Sequence, residues 1–232
     1  PDDVAVTVLI PNERGLDNAL ALRHHFDEVN LFLSASETHN RKNVNRSVEE
    51  SLSGLERVIT RARAEGLRCE GVISVAFGCP YEGDVPPDRV FAIAERLRDA
   101  GCEEIAFGDT TGMANPAQVR EMYAAAIEAL PDTELTAHFH NTRGQGLANV
   151  LAALDVAVSS SAFEGSPLAV MEYMESARPI VATRVGGVPD LIEDGVHGLL
   201  VDSGEGPVPR SWLDQRLRAL FATRGSAGRC GA

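Results

Sequence analysis

Short apolar runs alternate with amphipathic stretches from the first residues to about residue 154. The runs are Val4–Ile10, Glu28–Leu33, Gly71–Phe77, Glu104–Phe107 and Leu135–His138. Each gives way to polar or glycine-containing residues and then to a helix signal. Ser47-Val-Glu-Glu50 is a capping box, followed by Val48, Leu52, Leu55, Ile59 and Ala62 at helical spacing until Gly66. Asn115-Pro116-Ala117-Gln118 supplies an N-cap, a proline in the first turn and a glutamine at the third position, predicting a helix to about Leu130. A third helix is expected from Asp88, with Val90, Ile93 and Leu97 on one face and Gly101 at its end. Strand and helix in strict alternation imply parallel strands with right-handed crossovers, and functional residues just after the strands.

Beyond Asp155 the alternation continues with different text. Val156–Ser159, Pro179–Thr183 and Gly198–Val201 read as strands, Pro167–Ser176 and Pro189–Glu193 as helices, and Gly186-Gly187 as a turn. Ser211–Phe221 reads as a closing helix, and the Gly-, Arg- and Ser-rich text from Ala222 as a disordered tail. The expected organisation is a partial α/β barrel of parallel (β/α) units over 1–154, a βα segment over 155–221, and the tail over 222–232. Five strands plus three make eight, the number a closed barrel needs. An irregularly closed barrel is therefore one expectation and an incomplete, open one the other. The opening at Pro1, almost directly in an apolar run, reads as a start already inside the first piece.

Bulk properties narrow the function classes. A formal net charge of −13 over 232 residues argues against nucleic acid or an anionic membrane as the main partner. Four dispersed cysteines without a C-x-x-C pair point to neither a disulfide framework nor a zinc ribbon, and to a reducing, cytoplasmic setting. No apolar run approaches the roughly 20 residues that span a bilayer.

Candidate chemistry gathers after the strands. His138 and His140, two apart at a strand end, leave the same face and can share one divalent cation; Asn141 adds an oxygen or a supporting hydrogen bond. A solvent-facing histidine pair is the plainer alternative. Asp109, in Gly108-Asp109-Thr110-Thr111-Gly112, follows the preceding strand and is expected at the same mouth, as orienter, proton relay or turn cap. Cys79, in Phe77–Gly83, reads as a small buried side chain because no base lies beside it. Arg41 and Lys42 could receive a phosphate-bearing substrate or simply be solvated. Glu164 and Glu172 flank Gly165–Pro167, where a helix opens; surface carboxylates are the default for both.

The texts SASETHNRKNVN (34–45), FGCPYEG (77–83), GDTTGMANP (108–116) and HFHNTRGQGLANVLAAL (138–154) closely resemble the hydroxymethylglutaryl-CoA lyase family, metal-dependent lyases on a TIM barrel. The resemblance implies a carbon–carbon lyase acting on an acyl-CoA, with Mg²⁺ or Mn²⁺ held by His138 and His140. It implies proton transfer by His138 and an active-site acid at Asp109; Arg41, Lys42 and Thr110 are the expected substrate contacts. A homo-oligomer is compatible with it. The family's Arg-Asp strand, second-strand glutamate, catalytic-cysteine loop and asparagine ligand have no counterpart here, so two of four expected ligands remain and impaired activity is expected. The text over 159–201 resembles the donor-binding segment of group 1, GT-B retaining glycosyltransferases. That implies nucleotide-sugar contacts at Glu164 and Glu172, in a chimeric chain joined near Asp155.

Overall fold

A computed structural model describes residues 4–202. The chain divides after Ala153 into two compact units. The first carries strands β1 (Thr7–Leu9), β2 (Glu28–Ser34), β3 (Arg68–Ser74), β4 (Glu104–Asp109) and β5 (Glu134–Phe139). Between and after them lie helices α1 (Glu13–Leu20), α2 (Glu37–Val44), α3 (Val48–Ala64), α4 (Pro87–Ala100), α5 (Pro116–Ala129) and α6 (Gly146–Ala153). All strand pairs are parallel, and the order in the sheet is β1-β2-β3-β4-β5. The second unit holds β6 (Ala157–Ser159), α7 (Leu168–Glu175), β7 (Ile180–Thr183), α8 (Val188–Leu191) and β8 (Leu199–Val201), with sheet order β6-β7-β8.

The parallel (β/α) architecture is therefore present, and the closed eight-stranded barrel is not. The strands form separate sheets of five and three, because β6 pairs with β7 and β7 with β8. The Ser211–Phe221 helix and the tail from Ala222 lie outside the described residues.

Local signals account for most helix starts. Ser47 and Glu50 close the capping box on α3 reciprocally, and the Asn115 side chain accepts from the amides of Ala117 and Gln118 at the head of α5. α4 begins at Pro87, one residue before Asp88, and ends at Gly101 with φ 119°, a left-handed cap. β3 departs from expectation: it spans Arg68–Ser74 rather than Gly71–Phe77. The chain turns at Val75, whose φ of 53° is rare for a β-branched residue. The Val75 amide donates to Thr110 Oγ1 at 2.9 Å instead of continuing the ladder.

The sheet has one apolar and one polar face. Val29, Leu31 and Leu33 of β2, Ile73 of β3, and Ile105 and Phe107 of β4 are buried within one core that includes Leu55 and Ile59 of α3, Leu97 of α4 and Met122 of α5. Phe107 meets Phe91 and Tyr123 edge-on, with centroids 6.3 and 5.5 Å apart. Cys69, Cys79 and Cys102 are free and buried; burial pushes the Cys69 thiol up to about 11 and raises Cys102 as well. On the other face, Asn30, Glu70, Glu104 and Glu134 stand in one cross-strand row. Asn30 donates to Glu70, while Arg68 spans Glu28 at 2.8 Å and Glu134 at 3.4 Å. Glu104 has carboxylates on both sides; burial first, then Glu70, Glu134 and Glu28, raise its pKa.

Asn40 fixes the turn between α2 and α3. It is fully buried, its Oδ1 accepts from the Ser34 amide at 3.0 Å, and its Nδ2 lies 2.7–3.0 Å from Ser51 Oγ and the carbonyls of Arg46 and Ser47. Asn40→Ala should cost about 2–4 kcal/mol, since it strands several buried groups at once; urea unfolding measures this. Glu104 tests the polar row through pH. Its folded-state pKa is raised, so the penalty is absent below the unfolded carboxyl value and grows as pH climbs through the folded one. Glu104→Gln should therefore raise the urea midpoint at pH 7.5 and leave it nearly unchanged near pH 4.

Candidate functional site

The β4–β5 register sets Gly108 against His138 and Asp109 against Phe139. Gly108 keeps this approach close: a Cβ would stand 3.3 Å from the Ile73 carbonyl oxygen of β3, a tight contact. His138 is on β5 and His140 follows it, with rings stacked at 5.1 Å between centroids and 18° between planes. Both are exposed. Among the described residues, no group of three or more His, Cys, Asp or Glu side chains is arranged to hold a metal ion.

The loop beyond the histidines is tied down from several sides. Asn141 Oδ1 accepts from the Gly146 amide at 2.9 Å, which ties the loop to the start of α6. Arg143 donates to the Gly112 carbonyl at 3.2 Å. Asn149, buried on α6, donates to the Ala114 carbonyl at 3.1 Å. The β5–α6 loop is thereby clipped to the β4–α5 loop.

Asp109 departs from the expected mouth. Alternation along β4 sends its side chain to the face opposite Gly108 and His138. It is 1% exposed, and Oδ1 accepts from the amides of Met113 and Ala114 at 2.7 and 3.1 Å. Its Oδ2 is buried with no hydrogen-bond partner. Of the roles open to it from sequence, the turn cap is the one this geometry performs. Thr110 is likewise engaged, its hydroxyl accepting from Val75.

The Ser34–Asn45 text forms β2's end and a short helix, α2. Ser36 caps α2 by accepting from the His39 amide at 3.1 Å, and Asn45 ends it with φ 56°. Arg41 is exposed, 3.8 Å from Glu37 one turn back. Lys42 sets its ammonium 5.0 Å from the centre of the Tyr81 ring, a cation–π contact. His39 Nδ1 lies 2.6 Å from Ser34 Oγ, and burial lowers the His39 pKa, favouring the neutral ring. Cys79 Sγ donates to Ser36 Oγ at 3.0 Å, a structural contact between the two loops. Glu82 was not singled out by sequence, yet its carboxylate accepts from the Thr38 amide at 2.6 Å. Only its distance from Thr38 along the chain hid it.

In the second unit, Glu164 accepts from Ser161 Oγ at 2.6 Å. Its carbonyl accepts from Gly187 at 3.1 Å, and a Cβ on Gly186 would collide with that same carbonyl. The Gly186-Gly187 turn thus admits the Glu164 loop. Glu172 is exposed on α7.

The HMGL-like family model matches residues 2–160, and the model for glycosyl transferases group 1 matches residues 119–206. A hydroxymethylglutaryl-CoA lyase of Bacillus subtilis is 44% identical over 163 residues, covering 70% of this chain and 53% of the relative. The cytoplasmic 3-hydroxy-3-methylglutaryl-CoA lyase of Danio rerio is 39% identical over 202 residues, covering 87% of this chain and 58% of that protein. An HMG-CoA lyase of Acinetobacter baumannii, solved with coenzyme A and 3-methylmalate, superposes with a TM-score of 0.62 at 38% identity over 66% of this chain and 49% of that one. The chain spans about half the length of the curated relatives it matches, whose names include both cytoplasmic and mitochondrial lyases. With the HMGL-like model matching more than half of its residues, the chain belongs to the HMGL-like family.

Proposed function

We propose that the chemistry of this chain is that of a hydroxymethylglutaryl-CoA lyase, with weak turnover in the chain as it stands. The observation that carries the reading is the stacked His138–His140 pair, held by the β4–β5 register at a strand's C-terminal end. Two imidazoles on one face fit two positions of a divalent cation, Mg²⁺ or Mn²⁺, leaving the others to water and substrate oxygens. Such a cation, when bound, supplies Lewis-acid polarisation of the substrate's oxygens. In the cleavage itself, the 3-hydroxyl loses its proton and the C2–C3 bond breaks. The electron pair passes to the thioester fragment, which takes up a proton to give acetyl-CoA beside acetoacetate. His138, exposed at the strand end, is the proposed proton carrier. Asp109 acts by positioning the β4–α5 loop, and Arg41 and Lys42 face solvent, where an acyl-CoA phosphate could meet them.

The weak turnover in this proposal is supported by donor count: among the described residues no third His, Cys, Asp or Glu joins the two histidines, and two imidazoles hold a metal less tightly and less selectively than a full set. A cytoplasmic location and a homo-oligomer belong to the same proposal. No helix among the described residues is long and apolar enough to cross a membrane.

The second reading is nucleotide-sugar binding by the βα segment, favoured by the glycosyltransferase match over 119–206 and by the Gly186-Gly187 turn that seats Glu164.

Calorimetric titration with Mn²⁺ should give weak binding that His140→Ala reduces at least tenfold. Cleavage of hydroxymethylglutaryl-CoA, followed as acetyl-CoA release, should be slow, abolished by chelator, and lost in His138→Ala. Unchanged Mn²⁺ binding in both variants would remove the lyase assignment of this pair. Binding of UDP-glucose that disappears in Glu172→Ala would instead support the second reading.

A further inference from the structure

The first unit contains a cavity of about 570 Å³, away from the histidines, whose walls come from the β1–α1 loop, the end of α2 and the first turns of α3. Its floor is apolar, with Phe32, Val44 and Leu55, while Arg14, Arg46 and Arg57 line it beside one acid, Glu13. That is a local reversal of sign in a chain of formal net charge −13. Glu13 is already engaged by Arg57, at 2.7 Å from its Nε. Neither Arg14 nor Arg46 has an ion pair among the described residues.

Two of the guanidinium groups converge on one backbone position. An ideal Cβ on Gly54 would lie 3.4 Å from Arg46 Nη1 and 3.9 Å from Arg57 Nη2. Gly54 is buried on α3, and a side chain there would stand in contact with both groups, so the glycine keeps that wall of the cavity clear between them. Among the described residues Glu13 pairs with Arg57 alone, and planar guanidinium forks match the oxygens of phosphate in geometry. The buried Ser51 hydroxyl on the same wall adds a polar group.

We propose that this cavity is a binding site for a phosphate or diphosphate group, gripped by Arg46 and Arg57 across Gly54, with the less polar part of its bearer over Phe32. The site does not depend on His138, His140 or any metal. It therefore stands or falls apart from the lyase reading, although a CoA ester carries the same chemistry as a free inorganic anion.

The test is calorimetric titration of the full chain with inorganic pyrophosphate at low ionic strength, without metal. Binding is expected in the wild type, weakened at least tenfold in Arg46→Gln. Gly54→Asp, which sets a carboxylate between two intact arginines, should remove it. Arg120→Gln, at an exposed position of α5 outside the cavity, should leave it unchanged. Parallel titrations with phosphate and with CoA separate the sources: tighter binding of CoA than pyrophosphate, still sensitive to Gly54→Asp, assigns the cavity to a CoA-type bearer. Pyrophosphate bound equally by wild type and Gly54→Asp, or not bound by the wild type at all, overturns the proposal. CoA binding that ignores both substitutions also overturns it, while leaving the lyase reading intact.

Discussion

The parallel register between β4 and β5 is the constraint on which the candidate site depends. It sets His138 beside a residue with no side chain, at a place where the β3 backbone would have to shift by a few tenths of an ångström to take a Cβ. The close approach of three strand ends, the clear face in front of His138 and the stacking of the two imidazoles follow from one pairing. A slip by a single residue would exchange the faces of β5 and turn both histidines toward the helices. The apolar face of β4, anchored by Phe107 between Phe91 and Tyr123, resists that slip.

Side chains from one strand end fasten the loop of the next. Thr110 takes the Val75 amide, Asp109 takes two amides of its own loop, Arg143 and Asn149 reach back to Gly112 and Ala114, and Asn40 closes the α2–α3 turn. In a TIM-type unit these loops bear the chemistry. Here polar residues that resemble reactive groups in sequence are largely engaged in holding those loops. The two histidines differ: they remain exposed.

The sequence made the helices with local caps readable, since Ser47, Glu50 and Asn115 act within one turn of themselves. It made the parallel order readable from alternation. β3 was misplaced because the run from Val72 to Phe77 is apolar apart from one serine, whereas the strand's end is decided by a hydroxyl 35 residues away. α2 was hidden by composition: its one buried residue is Asn40, so no apolar period marks it. The mouth position expected of Asp109 came from its place after a strand. Alternation along β4 turned it the other way, a matter of strand phase that its neighbours in sequence do not show. The eight-strand closure failed at the level of pairing, which a count of strands does not contain.

The first sheet lists its strands in the order in which the chain makes them. Every strand after β1 finds its predecessor already beside it, so each addition closes a loop of only one crossover. Assembly is then cumulative: a growing chain can extend the sheet one unit at a time without waiting for a distant partner. The β4–β5 pair is the last addition to that sheet, so the two histidines take their places only after every earlier strand already has its neighbour.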